Sequence, residues 1–228
     1  MVKLEKTTPK QKRLEREKQS RRKLIVEIAE KLFIEKSFDN TTIDEVAYDA
    51  GYTKATIYNY FESKNDLFAA VLANFYNIMF KEFDSRSKKS DLEIGLRSLA
   101  DAYLYLVTEY PLQMEMLDSG RCTIINRLIQ EKLDNKADLT VSEIRFKTSE
   151  EMVGDFIKEK LIKSIKNPKI KNSKDIGKFV KVLNVLNLSI RELIKKELKY
   201  KNSKKNTQEI LSILFNIIDI GIANYKAE

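Results

Sequence analysis

Residues 41–64 read TTIDEVAYDAGYTKATIYNYFESK, and the order of caps, apolar positions and turn residues in this stretch decides the fold. Thr42 followed three positions later by Glu45 forms a capping box, in which hydroxyl and carboxylate each satisfy an amide left open at a helix start. A helix is therefore predicted to begin at Ile43. Ile43, Val46, Ala47 and Ala50 keep the spacing of one buried face, and Gly51 supplies the left-handed backbone at which such a helix stops. Thr53 is an N-cap for a second short helix, with Ile57 and Phe61 on one side. Ser63 with Asp66 opens a third helix by the same capping logic.

Two short helices joined by a tight glycine-containing turn form a helix-turn-helix, whose second helix lies in the major groove of duplex DNA. The residues left to point outward suit that task. Lysine, threonine and tyrosine bond phosphate oxygens, and threonine also offers a methyl and a hydroxyl to base edges.

The stretch resembles the DNA-binding domain of the TetR family of bacterial transcriptional regulators. The likeness runs over residues 23–68: Ile25, Ala29, Leu32, Phe33 and Phe38, then TTIDEVAYDAG, then KATIYNYFESKNDLF. It implies DNA contacts at Thr42, Thr53, Lys54, Ala55, Thr56, Tyr58, Tyr60 and Lys64, with phosphate contacts commonest at Thr42, Tyr58, Tyr60 and Lys64. Two positions depart from the family pattern, which usually has glycine where Ser37 ends the first helix and often glycine at Ala55. A methyl at Ala55 changes which base edge the helix approaches, so an operator sequence does not carry over. Simpler roles stand beside these: Tyr58 and Tyr60 as packing residues of a three-helix core, and Lys64 as a solvated first-turn lysine. Val46, Phe33, Ile57 and Phe61 read as core.

Charge divides this region in two. Residues 1–24 carry ten Lys or Arg against three acids, a net +7, whereas the whole chain is only +8. Residues 25–70 hold four lysines and nine carboxylates, a net −5. Because DNA affinity rests largely on neutralising phosphates, the N-terminal arm is expected to supply a large share of the non-specific affinity. Thr8, Pro9 and Gln11 read as an N-cap, a first-turn proline and a capping-box partner, so the first helix can start at Pro9 and extend the arm as a basic rod. A disordered arm entering the minor groove is the competing picture, and a merely solubilising tail a third.

Composition bounds the rest. At 228 residues the chain can bury a real core, and two modules are expected, a head over 23–68 and a helical regulatory and dimerisation body over 69–228, preceded by a basic arm over 1–22. No apolar run approaches the roughly 18 residues needed to span a bilayer, and the N-terminus is charged, so a cytoplasmic protein with no membrane partner is expected. One cysteine, Cys122, cannot form an internal disulfide, and the absence of histidine removes His-based triads and His metal ligands. Neither metal nor cofactor is expected. Lysine outnumbers arginine 32 to 10, a bias that follows from AT-rich coding and argues against reading the lysines of residues 158–205 as a second DNA surface.

The fold class expected is all-α throughout. Leu67, Val71, Phe75, Ile78 and Met79 mark a long helix from Ser63, which in the resembled family links head to body. Another is expected from Asp91 to Tyr110, where Pro111 breaks it and opens a short helix through Leu117. Residues 122–133 look helical, 134–148 read as a turn and part of a helix, and 150–166 are helical again. The polar run 167–175 is a connection, followed by helices over about 176–200 and 207–225.

In those last helices Phe179, Val182, Leu183, Leu186, Ile190, Leu193 and Ile194 form one stripe, while Ile210, Leu211, Leu214, Phe215, Ile217, Ile218 and Ile222 spread over more than one face. A helix apolar on two sides needs two partners. Its own body is one; the same helix pair of a second chain is the other, a homodimer like that of the family, unless the second face also lies inside the monomer. A dimer sets two heads about 34 Å apart on a pseudo-palindrome. The resemblance also implies a small-molecule effector beside the linking helix, with Phe75, Met79, Tyr103, Tyr110, Met114, Leu117 and Phe156 as pocket candidates that serve equally well as core. The leading expectation is a repressor released from its operator by that effector. A ligand-independent DNA-binding protein acting through a protein partner or nucleoid occupancy is the alternative. An enzyme is disfavoured, since nothing resembles a nucleophile elbow, phosphate loop or metal cluster.

Overall fold

A computed structural model describes residues 8–89, 95–118, 121–164, 176–199 and 204–224. Its helices are α1 (Pro9–Asn40), α2 (Ile43–Asp49), α3 (Lys54–Tyr58), α4 (Lys64–Lys89), α5 (Gly95–Glu109), α6 (Pro111–Asp118), α7 (Arg121–Asp134), α8 (Val141–Ser164), α9 (Ile176–Lys199) and α10 (Lys204–Asn224). No strand occurs among the described residues, so the protein is all-α.

The chain divides into two compact units. One comprises Met1–Phe75 and Glu115–Thr148, the other Tyr76–Met114 and Ser149–Glu228. In the first, α1 begins where the sequence places it: the Thr8 side chain accepts from the Gln11 amide, Gln11 answers at the Thr8 amide, and Pro9 occupies the first turn. Residues 8–24 are all exposed except Glu17 and Arg22, which are half-buried. The core starts only at Ile25, and Val26, Ala29, Leu32 and Phe33 continue it. Some 16 residues of helix, about 24 Å at 1.5 Å per residue, therefore precede the first buried side chain.

Ser37 interrupts α1 at φ 68° and ψ 162°, a region that L side chains rarely occupy. The break turns Phe38 back onto the core, where its ring lies 5.4 Å from that of Phe33 and 4.9 Å from that of Phe68. Thr41, buried beyond the break, donates its hydroxyl to the Leu32 and Ser37 carbonyls at 3.1 and 2.8 Å. Ile43, Val46 and Ala47 of α2, Ile57 of α3, Phe61, and Leu67, Phe68 and Val71 of α4 complete this core.

The Glu115–Thr148 segment belongs to the same unit through polar bonds at the start of two helices. Ser63 accepts from the Asp66 amide (3.1 Å), and the Asp66 carboxylate accepts from the Glu62 amide (2.9 Å) and from the Thr140 hydroxyl (2.5 Å). Thr140 is itself the cap of α8, accepting from the Glu143 amide while Glu143 accepts from the Thr140 amide, and Lys132 pairs with Glu143 at 2.9 Å. Arg22 donates to the Ser142 hydroxyl at 2.8 Å and lies 4.7 Å over the Phe61 ring. Burial, then the neighbouring Arg145, lowers the Arg22 pKa, with Asp66 opposing.

Several expected boundaries shift. The helix expected from residue 150 begins at Val141, because Thr140 and Glu143 form a capping box. Phe61 lies past the end of α3, its amide bonded to the Ile57 carbonyl at 3.1 Å. Proline does break the chain at 111, separating α5 from α6. The expected start at Asp91, the connection over 167–175, and the side chains of Phe179, Leu183, Phe215, Ile218 and Ile222 lie outside the described residues.

In the second unit α5, α9 and α10 pack on one another. Leu99, Ala102, Tyr103 and Leu106 of α5, Ile190 and Ile194 of α9, and Leu211 of α10 are buried. Val182, Val185 and Leu188 of α9 and Ile213, Ile217 and Ile220 of α10 are instead more than half exposed. Among the described residues, no helix is long and apolar enough to cross a membrane.

Candidate nucleic-acid interface

Local capping builds the interface. Thr42 starts α2, its side chain accepting from the Glu45 amide at 3.2 Å, while Glu45 Oε2 accepts from both the Thr42 amide (2.8 Å) and the Thr42 hydroxyl (3.0 Å). Gly51 at φ 69° turns the chain, and the Tyr52 amide closes the turn on the Ala47 carbonyl at 2.8 Å. Thr53 then caps α3 by accepting from the Thr56 amide at 3.2 Å, and the Thr53 and Thr56 hydroxyls share a 2.9 Å bond. Ile57, fully buried, anchors α3 to the core.

With that residue inward, the opposite side of α3 is outward. Thr53, Lys54, Ala55 and Tyr58 are exposed, Thr56 and Tyr60 half-buried. Thr42 is exposed and Lys64 half-buried at the two ends of the same stretch, so none of these side chains is sealed in the core. Tyr58 keeps 47% of its surface and Tyr48, on α2, keeps 85%. Lys64 is docked rather than extended: its Nζ lies 4.3 Å over the Phe38 ring and donates to the Asp39 carbonyl at 3.4 Å.

Carboxylates along this stretch neutralise two lysines. Lys54 Nζ pairs with Asp44 Oδ2 at 2.8 Å, and Lys36 Nζ with Glu45 Oε1 at 2.7 Å. Each pairing raises the pKa of its lysine. Glu45 is pushed down to about 2, first by its bond from Lys36 and then by the Thr42 amide and hydroxyl. Sequence reading missed these partners, since a link nine or ten residues apart depends on how the turn folds α2 against its neighbours. Arg22, counted within the basic arm, is turned inward instead. Its spacing from Ile25 and Ala29, three and seven residues on, carries that signal.

The pocket candidates divide between the units. Phe75 and Leu117 lie in the first; Met79, Tyr103, Tyr110, Met114 and Phe156 lie in the second. Phe75, Met79, Tyr103 and Met114 are buried. Phe156 packs edge-on against Phe80 at 5.5 Å, and the Tyr110 ring lies 6.4 Å from that of Tyr105. Burial, then Tyr105, Glu82 and Glu109, raises the Tyr110 pKa.

A capped α2, a glycine turn and a short α3 with its polar side outward define a helix-turn-helix protein. Residues 25–71 match the family model described as bacterial regulatory proteins, tetR family. The HTH-type transcriptional regulator YuxN of Bacillus subtilis strain 168 is 35% identical over 69 residues, 30% of this chain and 24% of that protein. The match thus spans about a quarter of the length of this curated relative. A crystal structure titled as a tetR family transcription regulator from Shewanella sp. PV-4 shares the fold at a TM-score of 0.57 and 14% identity, over 86% of this chain and 95% of that one. Residues 25–71 are thus similar in sequence to the head of that family, and the likeness beyond them is one of fold.

Proposed function

We propose that the chain is a transcriptional regulator that binds a pseudo-palindromic duplex as a dimer and leaves it when a small molecule binds the body. The observation that carries this reading is the exposure along α3, where Lys54, Ala55 and Tyr58 are exposed and Thr56 half-buried while Ile57 alone is buried. Thr42, Tyr58, Tyr60 and Lys64 are assigned to phosphates, and Thr53, Lys54, Ala55 and Thr56 to the groove.

Dimerisation is supported by the exposed apolar side chains at Val182, Val185 and Leu188 and at Ile213, Ile217 and Ile220, spaced three or four apart on α9 and α10. Such rows, left in water by the protomer, suit a two-fold helix-pair interface. The basic rod of residues 9–24 is assigned the bulk of the non-specific affinity. Lys10, Lys12, Arg16, Lys18 and Arg21 are exposed and make no ion pair among the described residues. Repression and release by an effector follow the family resemblance, with Met79, Tyr103, Tyr110, Met114 and Phe156 as the pocket residues to test first.

The test is binding of the purified chain to the intergenic DNA beside its own gene, followed by footprinting. A protected two-fold site occupied by one dimer supports the reading. Equal affinity for that DNA and for an unrelated duplex of the same length would refute it. Effector action is tested by screening small molecules for release of the footprinted site.

A further inference from the structure

We propose that Asp44 withholds Lys54 from the DNA backbone, so that Lys54 contributes nothing to the binding of duplex DNA in general. The proposal rests on the DNA-binding reading above and assigns a positioning residue within it.

Lys54 is the first residue of α3, where an extended ammonium would reach a phosphate beside the groove. Its Nζ instead donates to Asp44 Oδ2 at 2.8 Å, across the turn from the first turn of α2. Both side chains stay half or more exposed, at 52% and 66%, so the carboxylate occupies the same solvent-facing side that a phosphate would approach. It acts as an internal stand-in for one. The pair raises the Lys54 pKa, in keeping with an ammonium already satisfied by an anion.

Asp44 has no competing duty in α2. The cap of that helix is made by Thr42 and Glu45, and the sole hydrogen bond of the Asp44 side chain among the described residues is the one to Lys54. An acid in a first turn is favourable to a helix in its own right, which is the purely structural account that the experiment must separate. What the pair does to binding follows from counterion release. A lysine that neutralises a phosphate adds about 0.9 to the slope of log affinity against log salt, whereas a lysine already neutralised by its own protein adds none. Head contacts can then favour sequences that draw Lys54 off Asp44, while random duplex is left to the rod.

The experiment uses the full chain and a labelled 30-base-pair duplex of mixed sequence, with fluorescence anisotropy between 50 and 200 mM KCl. Asp44→Asn is expected to steepen the salt slope by about 0.9, equivalent to an extra loss of about 3.5-fold in affinity across that range. Asp44→Glu, which keeps the charge, should match the wild type. The double variant Asp44→Asn, Lys54→Gln should return to the wild-type slope, and Lys54→Gln alone should not change it. An unchanged slope in Asp44→Asn, with thermal melting showing a folded protein, would overturn the proposal. So would a flatter slope in Lys54→Gln alone, because Lys54 would then contact phosphate despite Asp44. Failure of the wild type to bind duplex at all would instead sink the DNA-binding reading, and the proposal with it.

Discussion

The rod runs without a break into the first helix of the head, yet rod and head treat their cations in opposite ways. In the head, Lys31 pairs with Glu35 at 3.9 Å, Lys36 with Glu45 and Lys54 with Asp44, while Lys64 is docked over Phe38. In the rod, Arg13 and Lys23 pair with Glu17 and Glu27, but Lys10, Lys12, Arg16, Lys18 and Arg21 make no ion pair among the described residues. On the function proposed above, shape discrimination and electrostatic grip fall to different residues. A head whose cations are already satisfied gains little from a phosphate it merely drifts past; a rod with open cations gains from any phosphate.

Removing residues 1–20 is the harshest way to break this contrast. Mixed-sequence affinity at 50 mM salt should fall at least about 100-fold, and the salt slope should flatten by about three or more, as anisotropy titrations would register. An unchanged slope would transfer the grip to the head. Tyr58→Ala sharpens the contrast from the other side. Affinity for the footprinted site should drop by about 1.5–3 kcal/mol, as for a lost hydrogen bond to a charged group, while thermal stability holds, because about half of the Tyr58 surface is exposed and Ile57 is the buried anchor of α3. A like loss on random duplex is expected of the phosphate contact assigned to Tyr58, and a loss confined to the footprinted site would move it to the groove.

Smaller effects test the frame that holds the two regions together. Ser37 sits at φ 68°, where a side chain costs about 1–3 kcal/mol and glycine costs little. Glycine gives part of this back through the greater freedom of the unfolded chain, about 0.4–1 kcal/mol. Ser37→Gly should thus stabilise the head by about 1 kcal/mol, seen as a raised melting midpoint; a lowered one would show that the break is not strained. The least effect is expected from acid. The Glu45 pKa is lowered from 4.5 to about 2, so its stabilisation of the folded state is complete above pH 4.5 and is lost as pH falls towards 2. Glu45→Gln should remove that part of the pH dependence in chemical-denaturation curves and leave the dependence near neutrality as it was.

How much of this was legible beforehand follows from where the signals lie in the chain. Thr8 with Gln11, Thr42 with Glu45, Gly51 and Thr53 are local devices, each acting within three or four residues, and each is found in the role its spacing implied. The start of α8 uses the same device at Thr140 and Glu143, but the sequence around it gives little helical signal. Its inward side chains there are Ser142 and Glu143, buried through bonds to Arg22 and Lys132, so the apolar periodicity that advertises a helix is missing. The head's ion pairs were invisible for another reason. Asp44 to Lys54 and Lys36 to Glu45 are neighbours only once the turn at Gly51 and the break at Ser37 have set the directions of three helices. The candidate contact residues came from the family likeness, and the carboxylates facing them came from the fold.

The hydroxyl of Thr140 on Asp66 bears on how the head could be isolated. Cutting the gene after Phe75 would strand a nearly buried carboxylate and leave the Arg22 guanidinium over Phe61 without Ser142. A fragment that keeps this unit whole therefore carries residues 115–148 alongside 8–75, rather than ending where the linear order of the motif invites.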